Sequence, residues 1–264
     1  MTLKRAYLCN FSAMRCLCVV TFSYKYLALP HSNKLTTKMK TTYYGQSTIE
    51  IETGGKKLLF DPFITHNALA KNIDINTIKP DYILVSHGHG DHVADLIEVQ
   101  KNSGAKIICI AEIAEWLYSK GINNVHEMNI GGGFNFEFGR VKMVNAVHSS
   151  TMPDGASGGN PAGFVIYTNE GKNIYFAGDT ALTYDMKLLA DDNLAWAYLP
   201  IGDNYTMGAD DAIKASGFIN CKNIIGMHYD TFPVIEIDKA EVAEKFVKAG
   251  LNLKLPAVGE TIEL

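Results

Sequence analysis

Ser86-His87-Gly88-His89-Gly90-Asp91-His92 follows directly on the apolar run Tyr82-Ile83-Leu84-Val85, so three imidazoles and a carboxylate stand at the exit of a strand-like segment. Imidazole and carboxylate are donors that divalent transition metals accept, and the run reads as a site for one or two ions. One cluster does not decide this in a chain with 8 His. Company does. Val141 to Val147 is an apolar-rich run that stops at His148, Asn173 to Gly178 stops at Asp179, and Asn223 to Met227 stops at His228. In layered α/β proteins the carboxyl ends of buried strands form the crevice where sites are built, so these segments can converge on one place.

Within the first cluster His87 and His89 are two residues apart, and the intervening glycines allow a sharp backbone turn, so that both rings can grip one ion. Asp91 and His92 fall where a helix should begin, with Val93, Leu96 and Ile97 at helical spacing. Asp91 alone would read as a helix cap. Beside three histidines it reads better as a ligand.

The ordered set His-x-His-x-Asp-His, a later His148, Asp179 within Phe176-Ala177-Gly178-Asp179-Thr180 and a final His228 resembles the metallo-β-lactamase superfamily over roughly residues 39 to 264. Within it, Leu199 to Gly208 and Met227 to Pro233 look like the uncharacterised metal-dependent hydrolases related to ascorbate-6-phosphate lactonase. The resemblance implies an α/β fold, a four-layer αββα sandwich of two mixed sheets. It also implies two divalent metal ions, one held by His87, His89 and His148, the other by Asp91, His92 and His228, with Asp179 bridging them. A carboxylate suits a bridge because it has two oxygens, whereas a neutral imidazole offers one lone pair. Zinc is the default ion; manganese, iron and nickel suit the same donors. The implied reaction is hydrolysis of a small ester, lactone or phosphodiester by a hydroxide held between the ions, with Asp91 and Asp179 at the catalytic centre.

Two segments repeat the pattern strand, glycine turn, strand, aspartate: Ser47 to Asp61 and Gly163 to Asp179. Two similar halves facing one another follow from that. Helices are expected over 91–102, 111–120, 182–190, 209–218 and 238–249, the last capped by Asp238, with Val242, Phe246 and Val247 inward and Gly250 closing it. Asp61 occupies in the first half the place of Asp179 in the second. It reads either as a group orienting a ligating histidine or as plain Asp-Pro turn chemistry.

Where the relatives commonly carry Gly-His-Ser, this chain has Gly45-Gln46-Ser47, and Gln46 can hydrogen-bond but not titrate near neutrality. Asp203, Asn204, Thr206 and Met207 follow the apolar run Ala195 to Ile201 and suit substrate contact. The Gly- and Ser-rich loop from Asp154 to Gly163 reads as a mobile rim or a plain connector. His31, His66 and His126 lack a strand exit before them and read as surface or rim, and Cys109 and Cys221 as small buried hydrophobes.

At 264 residues and 47% hydrophobic content the chain can bury a full core as one domain. A net charge of −4 offers no basic surface for a phosphate backbone, so a small-molecule substrate is expected and a nucleic acid is not. No apolar run reaches the roughly 20 residues of a membrane span, so no membrane partner is expected. Residues 1–38, with three of the five cysteines, read as an extension that is disordered or upstream of the true start, and 39–264 as the hydrolase domain. The odd cysteine count without paired spacing favours the cytoplasm. Oligomeric state is not legible. Two readings of other classes stay open: a metal-binding sensor or scaffold without turnover, and a redox di-iron protein, against which the imidazole of His89 argues because redox relatives tend to carry an acid there.

Overall fold

Short β-branched and aromatic runs punctuated by glycine form the framework of the computed structural model, which describes residues 39–264; the extension expected over 1–38, with His31, lies outside these residues. The strands of the first half are β1 (Lys40–Tyr43), β2 (Ile49–Thr53), β3 (Lys56–Phe60), β4 (Tyr82–Leu84), β5 (Lys106–Ile110) and β6 (Val125–Met128). The second half has β7 (Gly133–Phe136), β8 (Gly139–Asn145), β9 (Ala162–Thr168), β10 (Asn173–Phe176), β11 (Leu194–Pro200), β12 (Asn223–Met227), β13 (Asn252–Lys254) and β14 (Thr261–Glu263). One sheet has the order β14-β1-β2-β3-β4-β5-β6, the other β13-β12-β11-β10-β9-β8-β7.

Each sheet is mixed, and in the same sense. The hairpin β2–β3 is antiparallel and β3 then pairs in parallel with β4, as the antiparallel β9–β10 is followed by parallel pairing of β10 with β11. The repeat read in the sequence is therefore a structural one. The two hairpins meet in the core, where Phe60, last in β3, stacks on Phe176, last in β10, with centroids 4.5 Å apart. Aromatic pairs of this kind add about 0.5–1.5 kcal/mol beyond the area they bury. Strands β3 and β4 leave the first sheet at one edge, and β8, β10, β11 and β12, all parallel to one another in direction, leave the second at the edge facing it. All the expected donors sit just beyond those exits.

The helices are α1 (Gly90–Val93), α2 (Leu96–Ser103), α3 (Ala111–Ser119), α4 (Ala209–Phe218) and α5 (Lys239–Lys248). The single helix expected over 91–102 is two, broken at Asp95, whose φ of −102° and ψ of 4° are not helical. Its buried carboxylate instead accepts the backbone N–H groups of Ile64 and Thr65, at 2.5 and 2.9 Å. The helix expected over 182–190 is a 3₁₀ turn, Tyr184–Leu189, opened by the Thr183 hydroxyl accepting from Asp185 N–H. Val247 is 72% exposed, not inward, while Phe246 is fully buried. Successive helical residues are about 100° apart, so both cannot face the sheet.

Asp238 caps α5 by accepting from Ala240 and Glu241 N–H at 2.9 and 3.0 Å. Asp238→Ala should lower the stability by about 1 kcal/mol. A urea melt is expected to show an earlier midpoint at unchanged slope; an unmoved midpoint would refute the cap's contribution. No helix among the described residues is long and apolar enough to cross a membrane.

Candidate metal centre

Four chain segments bring seven donors together. His87, His89, Asp91 and His92 come from the β4–α2 connection, His148 from beyond β8, Asp179 from beyond β10 and His228 from beyond β12. They form two groups, His87, His89 and His148 on one side and Asp91, His92, Asp179 and His228 on the other, with the donor atoms of each group within 4.8 Å of one another. Asp179 Oδ2 stands between them, 3.9 and 3.6 Å from Nε2 of His87 and His148, and 3.3 and 3.0 Å from Nε2 of His92 and His228. Asp91 Oδ2 lies 3.4 Å from His92 Nε2 and 3.6 Å from His228 Nε2.

These spacings suit a shared cation. Two donors at tetrahedral zinc distances of about 2.0–2.1 Å are about 3.3–3.4 Å apart. His92 Nε2 is buried with no hydrogen-bond partner although two carboxylate oxygens lie at that range, and Asp179 Oδ1 is buried without a partner too. Buried polar atoms are normally satisfied, so orphaned ones among seven convergent donors mark a place built for an ion. The residues present fit divalent metal.

Hydrogen bonds behind the rings decide which nitrogen faces the centre. Asp61 Oδ2 accepts from His92 Nδ1 at 2.8 Å and from the Ser86 hydroxyl at 2.6 Å, and its Oδ1 accepts from Ser86 N–H at 2.8 Å. Ser86 Oγ in turn lies 2.9 Å from His87 Nδ1. With both Nδ1 atoms engaged behind, both Nε2 atoms point forward. His89 is turned the other way, with Nδ1 3.0 Å from His87 Nε2 and Nε2 3.3 Å from Ser149 Oγ. Asp61 thus makes the contact that the orienting reading calls for, and its backbone is also left-handed, at φ 44°, as in a turn.

Burial, and then the charge of His92, hold His87 well below the usual imidazole range, which leaves a neutral ring with a free lone pair. Burial alone would raise Asp179, but the charges of His92 and His228 outweigh it and hold its carboxyl well below the usual range. The reverse pull acts on His228: burial lowers it, yet Asp179 and Asp91 push it up to about 9. Asp91 is likewise held low against burial, by His92 and His228. Two ionised carboxylates among imidazoles form a donor set that a divalent cation accepts.

Gln46 is fully buried and donates from Nε2 to Asp91 Oδ2 at 2.8 Å, while its backbone carbonyl accepts His228 N–H at 2.8 Å. It braces two donors from behind. Gln46 and His228 have left-handed backbones, at φ 53° and 56°, a conformation non-glycine residues hold at functional sites when their surroundings enforce it. Space around Gly88 is tight: a Cβ there would come within 2.5 Å of Met152 Sδ and 3.3 Å of the Met152 backbone nitrogen, so the Met152 side chain would have to shift. Gly178 needs both freedoms, since its φ is 62° and a Cβ would meet Ala162 O and Ser86 Cβ at 2.9 Å. It lets the β10 exit close on the β4 exit.

In front of the donors lies a cavity of 530 Å³ lined by His89, Asp91, His148, Asp179 and His228 together with Phe63, Gly90, Ser149, Tyr205 and Phe232. Asp203, Asn204 and Thr206 are not among its walls. Asp203 accepts Asn204 N–H at 2.9 Å, and the Thr206 hydroxyl donates to Met207 O at 3.3 Å, so these polar groups build the turn. The residue they present is Tyr205. Phe63 and Phe232 are not singled out in the sequence; only their closeness to Asp61 and His228 could have pointed to them. Thr180 ties the edges together, accepting Val147 N–H at its hydroxyl and Met207 N–H at its carbonyl. His66 is exposed and Cys109 and Cys221 are buried, as expected, whereas His126 is half-buried in β6 and packs edgewise on Phe136 with centroids 5.0 Å apart.

Comparison with known proteins finds similar chains of the same extent. The family model described as a β-lactamase superfamily domain matches residues 56–229. A UPF0173 metal-dependent hydrolase of Flavobacterium johnsoniae is 56% identical over 227 residues, which is 86% of this chain and 100% of the relative. One from Listeria innocua is 46% identical over 231 residues, again 86% and 100% of the two chains. Among solved structures, Igni18, described as a novel metallo hydrolase from the hyperthermophilic archaeon Ignicoccus hospitalis, is 33% identical with a TM-score of 0.78, over 86% of this chain and 99% of that one.

Proposed function

Since the chain belongs to the β-lactamase superfamily and, within it, to the UPF0173 metal-dependent hydrolases, we propose that its seven clustered donors hold two divalent cations and that these serve hydrolysis of a small ester, lactone or phosphodiester. His87, His89 and His148 would hold one ion and Asp91, His92 and His228 the other, with Asp179 shared. The observation that carries this is the position of Asp179 Oδ2, within 3.9 Å of imidazole nitrogens from both groups. When bound, such ions act as Lewis acids and make hydroxide available near neutral pH. Zinc is the ion we favour, on the strength of the imidazole-rich donor set.

The chain's own residues do the positioning. Asp61, directly and through Ser86, keeps the Nδ1 protons of His92 and His87 at the back of the site, so that each Nε2 lone pair faces forward. Gln46 holds Asp91 Oδ2 by a neutral donor. Phe63 and Phe232 give the cavity in front of the donors an apolar side. The whole arrangement belongs to residues 39–264, which we take as the hydrolase domain.

The test is elemental analysis of purified protein together with esters, lactones, phosphodiesters and nitrocefin, each with and without a chelator. About two ions per chain and turnover abolished by the chelator are expected. Equal turnover by the parent and a His87→Ala, Asp179→Ala double variant would overturn the proposal.

A further inference from the structure

What this chain places in front of the donors is aromatic. Phe63, Phe232 and Tyr205 line the cavity, and among the described residues neither Lys nor Arg does. We propose, resting on the hydrolytic reading above, that the substrate is an uncharged carboxylic ester or lactone with an apolar or aromatic acyl arm, and that phosphodiesters are not turned over efficiently. Water adds across the acyl C–O bond: the acyl carbon takes the hydroxyl, the alcohol oxygen takes the proton, and no electrons change hands.

The first support is a preformed apolar wall. Phe63 is 6% exposed, its N–H donates to Thr48 Oγ1 at 2.9 Å, and the next two residues are pinned by Asp95. Its ring lies 6.5 Å from that of Phe232. A wall already fixed before binding costs little ordering when an apolar arm settles on it. The second support is Tyr205, a residue 55% exposed at the cavity on a turn with Asp203 and Asn204 at φ 62° and 54° and Met207 N–H on Thr180 O at 3.1 Å. The third is charge. A phosphodiester stays anionic throughout, and proteins that recognise one normally supply Arg or Lys to its free oxygens. This cavity supplies rings instead. Its 530 Å³ is room for an acyl arm as well as the reacting group.

The experiment uses the full chain loaded with zinc and p-nitrophenyl acetate, butyrate, hexanoate and phenylacetate, against bis(p-nitrophenyl) phosphate with the same leaving group. The value of kcat/KM should rise about fourfold for each methylene added. Phe232→Ala and Tyr205→Ala should each flatten that slope while the metal content, read by elemental analysis, stays at the parent's. A flat chain-length response in the parent, or bis(p-nitrophenyl) phosphate matching the hexanoate, overturns the substrate assignment and leaves the hydrolytic reading standing. Should none of these compounds, nor the lactones and nitrocefin named above, be turned over, it is the hydrolytic reading that fails, and calorimetric titration with the neutral ketone benzylacetone still decides the cavity's preference. Binding weakened about tenfold by Phe232→Ala supports it; equal affinity for parent and variant overturns it.

Discussion

Asp179→Ala is expected to leave purification with no more than one metal ion per chain and to hydrolyse any substrate of the parent at least about 10²–10³-fold more slowly. The reason is position. Asp179 Oδ2 is 3.0 and 3.3 Å from Nε2 of His228 and His92 and 3.6 and 3.9 Å from Nε2 of His148 and His87, so its removal takes a donor from both groups at once. It also removes the larger share of the negative charge that faces four imidazoles in a buried space, where charges interact strongly. Asp179→Asn keeps the shape and one oxygen but loses the charge, and should fall between parent and Ala in metal content. Elemental analysis of the variants, side by side with rates on the parent's best substrate, makes the comparison. A variant with two ions and parental rates would remove Asp179 from the centre.

Asp61→Asn should weaken metal binding about 10–100-fold without deleting any donor of the centre. The buried carboxylate accepts three hydrogen bonds, two from Ser86 and one from His92 Nδ1. An amide has one accepting oxygen and one donating nitrogen. If the nitrogen faces His92, that ring must carry its proton on Nε2, the atom aimed at Asp91 and Asp179. If it faces Ser86 N–H, two donors oppose each other in a dry interior, at about 1–3 kcal/mol. Ser86→Ala interrupts only the branch to His87 and should have the smaller effect. Competition with a chromophoric chelator measures affinity, and urea melts in excess chelator measure the metal-free stability. Parental affinity in Asp61→Asn would mean that the ring orientations are set by packing alone.

Much of this centre is legible in the chain because each donor closes a locally recognisable segment. His87, His148, Asp179 and His228 all end apolar runs, and the halves Ser47 to Asp61 and Gly163 to Asp179 share one pattern that becomes two matching hairpins. Side-chain facing in the loops is less legible. Asp203, Asn204 and Thr206 are polar beside the site, yet Tyr205 is the residue that reaches the cavity, because two consecutive left-handed residues turn the loop over. Asp95 looked like part of a continuous helix and is spent on holding the Phe63 loop instead. Both outcomes depend on partners distant in sequence.

The sequence by itself determined the ordered donors, the duplicated strand-turn-strand halves and, through residue chemistry, a site for divalent metal. These follow from periodicity and donor type, which are local properties. The tertiary structure alone decided that Asp179 Oδ2 stands between the two groups, that His89 presents Nδ1 while His87 and His92 present Nε2, and that aromatic rings wall the cavity. Those are set by how two sheets pack and by backbone angles at their exits, where a rotation of one loop residue exchanges the side chain that faces the site for the one that faces away.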